Sequence, residues 1–354
     1  MPVLSARRSK AGMSLLKRVG RALCLILVLT SIFAFAPRLQ AQNTSPLAMY
    51  PELMDTIVSG HYEAAQEISG QIASAYPGHP AALYARIAIS YARMVDFEDT
   101  SGRAAFMSLC DSCVEACHQR LDSRSDDRAN LEYLRGSVFG ARGLLLNHEG
   151  QVLPALKSLI KAKNSFEQAI EADPQFYDAY LGRGAYRYAV ATHASLLRWL
   201  PFIPTKQSGW EDLWLAARRS SFSRATALTS IVWHAMDEGD FATADSIIQA
   251  GLERFPDSRN FLWPRLAWYE RQNQWANAES TAKLLLDQYL SLPENNGYDA
   301  IGLYWRLMTC ADNLGRPDDA QSYARAGLNT FRTEDVARRR GGKLRDMQAR
   351  LSKS

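Results

Sequence analysis

The chain is poor in the residue patterns that most often announce chemistry. It has five cysteines in 354 residues, too few for a disulfide-built framework. Its six histidines show no metal-ligand spacing, and none forms a His-Glu-x-x-His pair. There is no Gly-x-Ser-x-Gly turn and no phosphate-binding glycine loop. The strongly apolar run at 22–36 is fifteen residues long, short of the roughly 20 that a membrane-spanning helix needs. With a mean hydropathy of −0.24, a polytopic membrane protein is excluded. No stretch alternates convincingly as a β-strand. The chain therefore reads as non-enzymatic, with no cofactor expected. What is present is 47% hydrophobic and 22% charged residues, enough for a sizeable core and too apolar for wholesale disorder.

Acid is missing from the N-terminus. Residues 1–21 carry Arg7, Arg8, Lys10, Lys17, Arg18 and Arg21, and the uncharged run 22–36 follows, closed by Pro37 and Arg38. Basic, apolar, then polar is the order of a secretory signal peptide, whose apolar centre is about 7–15 residues. Residues 1–41 are read as that signal, with cleavage near Ala41 and export to the periplasm or cell envelope; an uncleaved anchor is the alternative. Seven basic residues and no acids lie in 1–41, so the remainder carries a net charge of −3, against +4 for the whole chain. The last stretch, 336–354, is itself net +6, which leaves an acidic body at 42–335 and demotes nucleic acid as a partner.

The body repeats. Six stretches place small or apolar residues at i, i+3, i+4, i+7, i+8 and i+11, the buried stripe of an amphipathic helix. The clearest is Ala244, Ile247, Ile248, Gly251, Leu252, Phe255, stopped by Pro256; others begin at Ala65, Phe106, Ala155, Ala278 and Ala320. In five of them a turn residue stands five positions before the first tooth: Gly60, Gly150, Gly239, Asn273 and Gly315. Four of the preceding segments supply a partner helix with a small residue three before an aromatic: Ala88/Tyr91, Gly136/Phe139, Ser230/Trp233 and Gly302/Trp305. The pattern resembles the second helix of a tetratricopeptide repeat: glycine closes one helix, alanine admits a close neighbour, and proline ends the next. The fold class expected is an all-α, tetratricopeptide-like helical solenoid over 42–335. Between the anchors at 155 and 244 the spacing hides one irregular unit, with an insertion at 192–210.

That irregular unit carries the more specific likeness. Tyr177, Asp178, Ala179, Tyr180, Gly182, Gly184, Tyr186 and Tyr188 lead into Trp199, Leu200, Pro201 and Phe202. This run resembles the Iml2-type tetratricopeptide-repeat proteins (the tetratricopeptide repeat protein 39-like family), many of which in bacteria are exported. The resemblance implies an all-α repeat scaffold and no known chemistry.

Four features compete for a functional role. Cys110, Cys113, Cys117 and His118 suggest zinc, haem or redox chemistry, yet the spacing matches none of these well, and all three cysteines occupy teeth of the comb that starts at Phe106. Core packing is the simpler reading. Cys310 lies far along an array read as elongated and is not expected to pair with them. The insertion offers Trp199, Phe202 and Ile203 for a partner or a membrane surface, or as a cap over the neighbouring repeat. Tyr180, Arg183, Tyr186 and Arg187 on the preceding helix are candidates for a concave face, with intramolecular roles as the alternative. The basic tail suits anionic lipid, an acidic partner, or a plain solvated helix. The expectation is a scaffold of the periplasm or envelope that binds a protein or peptide in its concave groove through Tyr, Trp and Arg anchors. The rivals are an envelope-attached assembly factor using 192–210 and the tail, and a haem or redox protein using the cysteine cluster.

Overall fold

The computed structural model describes residues 45–123, 127–193 and 204–352. The signal segment and Trp199, Phe202 and Ile203 lie outside the described residues. Every regular element described is a helix, and the helices form successive hairpin pairs. The first three pairs are α1 (Tyr50–Val58) with α2 (Tyr62–Ala75), α3 (Pro80–Asp96) with α4 (Arg103–Asp122), and α5 (Arg128–His148) with α6 (Val152–Ala172). Then come α7 (Asp178–His193) with α8 (Lys206–Arg219) and α9 (Arg224–Glu238) with α10 (Phe241–Arg254). The array ends with α11 (Arg259–Arg271) and α12 (Trp275–Ser291), α13 (Tyr298–Asn313) and α14 (Pro317–Asn329), and a final α15 (Glu334–Arg339) and α16 (Gly341–Ser352). This is the tetratricopeptide-like solenoid that the comb predicts. The six combs are α2, α4, α6, α10, α12 and α14, and the irregular unit is α7–α8.

The local chemistry explains the pairs. All five turn residues take left-handed backbone, with φ from +54° at Asn273 to +81° at Gly239. Glycine and asparagine tolerate that conformation best, and it reverses the chain at once into the next helix. The alanines that open five combs are 0–2% exposed, so the paired helices meet at a residue with almost no side chain.

Unit α7–α8 is built by closer contacts still. A Cβ on Gly182 would stand 2.0 Å from the Phe166 ring, and one on Gly184 would stand 3.0 Å from the backbone of α8. Gly209 on α8 answers in kind, since a Cβ there would meet the Tyr188 nitrogen at 2.7 Å. Asp178 is buried and accepts the backbone N–H groups of Ser221, Phe222 and Ser223 at 2.8–3.0 Å, satisfying the start of α9. The Gly-x-Gly helix is thus a packing device.

One expectation is corrected. The array is not elongated: the superhelix turns back so that its first repeats meet its last. Val58 packs with Ala225, Phe255 and Phe261, Ser258 Oγ donates to the Val58 carbonyl at 2.5 Å, and Arg93 pairs with Glu294 at 2.7 Å. At the centre, the Asp96 carboxylate accepts from Arg259 Nη2 at 2.5 Å, Tyr62 at 2.8 Å and Tyr289 at 3.1 Å.

The Asp96 and Arg259 side chains are 12% and 10% exposed. Removing one partner of such a pair strands a desolvated charge, at a cost of about 3–5 kcal/mol. Asp96→Ala is expected to lower the urea midpoint accordingly and to raise the radius of gyration in solution scattering. An unchanged midpoint would show that the closure does not rest on this carboxylate.

Candidate binding site

Closure turns the concave side of the solenoid into a cavity of about 1190 Å³. Native interiors seldom leave voids much larger than a water molecule, and ligand pockets span about 300–1,000 Å³. The wall is drawn from nearly every pair: Ile57 of α1, Tyr91 of α3, Leu144 of α5, Leu159 of α6, Val190 of α7, Trp233 of α9 and Trp263 of α11. Two of the small-and-aromatic pairs, Ala88/Tyr91 and Ser230/Trp233, line it. Much of the polar surface in the wall is already spent: the Tyr62 and Tyr289 hydroxyls donate to Asp96, and Ser230 donates to the Thr226 carbonyl.

Charge collects at one end, where Asp96, Glu98, Arg259, Asp299 and Arg340 line the cavity. Arg340 comes from the junction of α15 and α16, the basic tail. Its guanidinium lies over the Tyr298 ring at 3.5 Å and its Nε donates to the Tyr298 carbonyl at 2.9 Å. Its nearest carboxylate, Asp299, is 3.6 Å away, beyond hydrogen-bond reach. Burial lowers the Arg340 pKa. Burial also raises Asp299 to about 7, with Arg340 opposing and Glu98 and Asp96 reinforcing the shift.

A second feature flanks the cavity. On α6, Val152, Leu153, Leu156 and Ile160 are 41–72% exposed, and Leu144 of α5 beside them is half exposed. They occupy one arc of the helix, adjoining the comb that begins at Ala155. Leu144 and Leu156 also belong to the cavity wall, so this apolar ridge continues into the mouth.

The residues singled out from the sequence are distributed unevenly. Tyr186 lines the cavity. Arg183 grips Asp212 with two hydrogen bonds at 2.7 and 2.8 Å, and Arg187 donates to the same carboxylate at 3.0 Å. Tyr180 donates to the Pro174 carbonyl at 3.1 Å and lies under the Arg183 guanidinium. These three tie α7 to its neighbours. Cys110, Cys113, Cys117 and Cys310 are free, buried thiols. His118 sits on the outer face beside Asp122, with its side chain 61% exposed, so it does not converge with the three sulfurs on one ion. Burial pushes the Cys110 thiol up to about 11, the opposite of an activated thiolate. The basic tail is a docked cap: Val336 and Met347 are buried, Arg339 pairs with Glu98, and Arg350 pairs with Asp312 at 2.9 Å.

Sequence reasoning missed Arg259, Trp263, Asp299, Arg340 and the ridge. The ridge did leave a signal, because α6 carries a second apolar stripe beside its comb. A helix apolar on two faces needs two neighbours.

No protein-family model matches the chain, and no curated protein matches it. Among solved structures, it is similar to PilW, a widely conserved type IV pilus biogenesis factor, at 14% identity and a TM-score of 0.48, over 72% of this chain and 97% of that one. It is also similar to Acl4, an assembly chaperone of RpL4 (11%, TM-score 0.42, over 76% and 97%). A third is yeast Tom70 (11%, TM-score 0.34, over 98% and 97%). At these identities and overlaps none of them assigns a function to this chain.

Asp299 makes stability pH-dependent with a definite sign. An unfolded aspartate ionises near pH 4, whereas this one resists ionisation to about 7. Its contribution is therefore fully present below about pH 4 and is lost as pH rises to 7, a change of roughly 4 kcal/mol. Asp299→Asn, neutral throughout, is expected to melt near the wild type at pH 4.5 and above it at pH 8. Equal melting temperatures of the two proteins at pH 8 would place the Asp299 pKa in the ordinary range.

Proposed function

We propose that the chain is a non-enzymatic, protein-binding scaffold of the periplasm or cell envelope. The observation that carries the reading is the ridge of Leu144, Val152, Leu153, Leu156 and Ile160. Five large apolar side chains on one edge of a soluble helical array mark an interaction surface, whereas single exposed apolar residues are ordinary. Export is supported by the basic, apolar, polar order of residues 1–41, and the Iml2-type likeness of 173–204 accords with an exported repeat scaffold. The partner docks beside the mouth of the concave-side cavity, where the ridge and the cavity wall share Leu144 and Leu156.

Leu153→Glu and Ile160→Glu place charges on exposed positions and should leave the melting temperature within about a degree, given the small cost of surface changes. Both are expected to abolish most cross-linking to a reproducible partner in native envelopes, read by mass spectrometry. Recovery of the same partners at wild-type yield would sink the ridge as the docking site. Residues 1–41 fused to a reporter active only after export should yield activity, and an inactive fusion that is stably made would refute the location.

A further inference from the structure

The cavity asks for an occupant of its own, besides the partner proposed for the ridge. Three cations line it: Lys163, Arg259 and Arg340. Lys163 has Glu167 at 2.7 Å and Arg259 has Asp96 at 2.5 Å. The Arg340 side chain is 14% exposed, and its terminal nitrogens make no hydrogen bond among the described residues. A mostly buried guanidinium whose terminal nitrogens lack a close acceptor is an anion site in waiting, since carboxylate recognition by arginine is charge-assisted and often bidentate.

Away from that charge the lining is largely apolar, with Trp263, Tyr91, Ala185, Val190 and Leu159 in the wall and the half-exposed Leu144 and Leu156 at its rim. An extended peptide would bring a donor and an acceptor per residue into this space, where the Tyr62, Tyr289 and Ser230 hydroxyls are already engaged. An alkyl chain brings none, and it gains by leaving water along its whole length. The charged end is suited to one negative group only, since Arg340 is its one cation without a hydrogen-bonded carboxylate. A doubly charged head would also confront the carboxylates of Asp96 and Glu98.

We propose that the cavity binds a long-chain carboxylic acid, with its carboxylate on the Arg340 guanidinium and its chain along the wall toward Leu144 and Leu156. Asp299, whose ionisation burial resists, stands beside Arg340 at 3.6 Å and in its protonated form can donate a hydrogen bond to the head.

The test uses the purified chain, delipidated, and displacement of a fluorescent apolar probe. Palmitate is expected to displace the probe at least tenfold more effectively than hexadecanol or a hexadecyl trimethylammonium salt, and more effectively than a lysophosphatidic acid of the same chain. Arg340→Gln should erase the preference for palmitate over hexadecanol while leaving hexadecanol binding within about twofold, so a loss of fold and a loss of the head site give different results. Ala185→Trp, which puts a bulky ring into the apolar part of the wall, should weaken binding of both. Equal binding of palmitate and hexadecanol by the wild type overturns the head site. Displacement by an apolar peptide with no response to palmitate overturns the ligand class. Neither result touches the ridge, whose partner is read by cross-linking.

Discussion

A row of helix pairs has no inherent reason to close, because each pair satisfies itself against its neighbours. In this chain one carboxylate supplies the reason. Asp96 ends α3, yet its hydrogen-bond donors come from α2, from the start of α11 and from α12. The ion pair alone would not suffice, since burying two charges costs several kcal/mol. The phenol of Tyr289 spends both its donor and acceptor capacity here, giving to Asp96 and taking from Trp263 Nε1 at 3.0 Å. Phe97 sits edge-on to Tyr62 and Tyr289, so water is kept from the pair. Closure, cavity and polar end all follow from this junction.

The charge balance of the chain acquires a structural meaning from the same closure. The acidic body and basic terminus are complementary surfaces of one fold. Arg339 reaches back 241 residues to Glu98, Arg350 pairs with Asp312, and Trp305 Nε1 donates to Asp346. Lys343 lies over the Trp305 ring at 3.6 Å. A terminal helix pair with cations aimed at its own body caps the array, as the end of a solenoid requires. It also delivers Arg340 to the cavity.

Local order was legible because it is written in short spacings. A glycine or asparagine five residues before an alanine specifies a left-handed turn and a close helix pair, and each of the five adopts it. Cys110, Cys113 and Cys117 read as core from their register alone. Closure was not legible, because the partners of Asp96 lie 34, 163 and 193 residues away and periodicity reports only which face of a helix is buried. The same limit explains Arg183 and Arg187. Their spacing puts them on one face, but the carboxylate they hold, Asp212, lies 29 and 25 residues further along the chain. The ridge is a different case, since its stripe is present in the sequence and adjoins the comb on the same helix.

Two surfaces that share residues cannot act independently. Leu144 and Leu156 form part of both the ridge and the cavity wall, so a protein seated on the ridge, as proposed, would also meet the rim of the cavity. A ligand in the cavity changes what that protein meets, from an apolar opening to a filled one. Binding at either place must then alter affinity at the other by the same factor. The sign depends on whether the partner packs better against a filled mouth or inserts a side chain of its own into an empty one. In the first case the cavity's occupant is a condition for assembly. In the second it is a competitor, and the closed solenoid releases one as it takes the other.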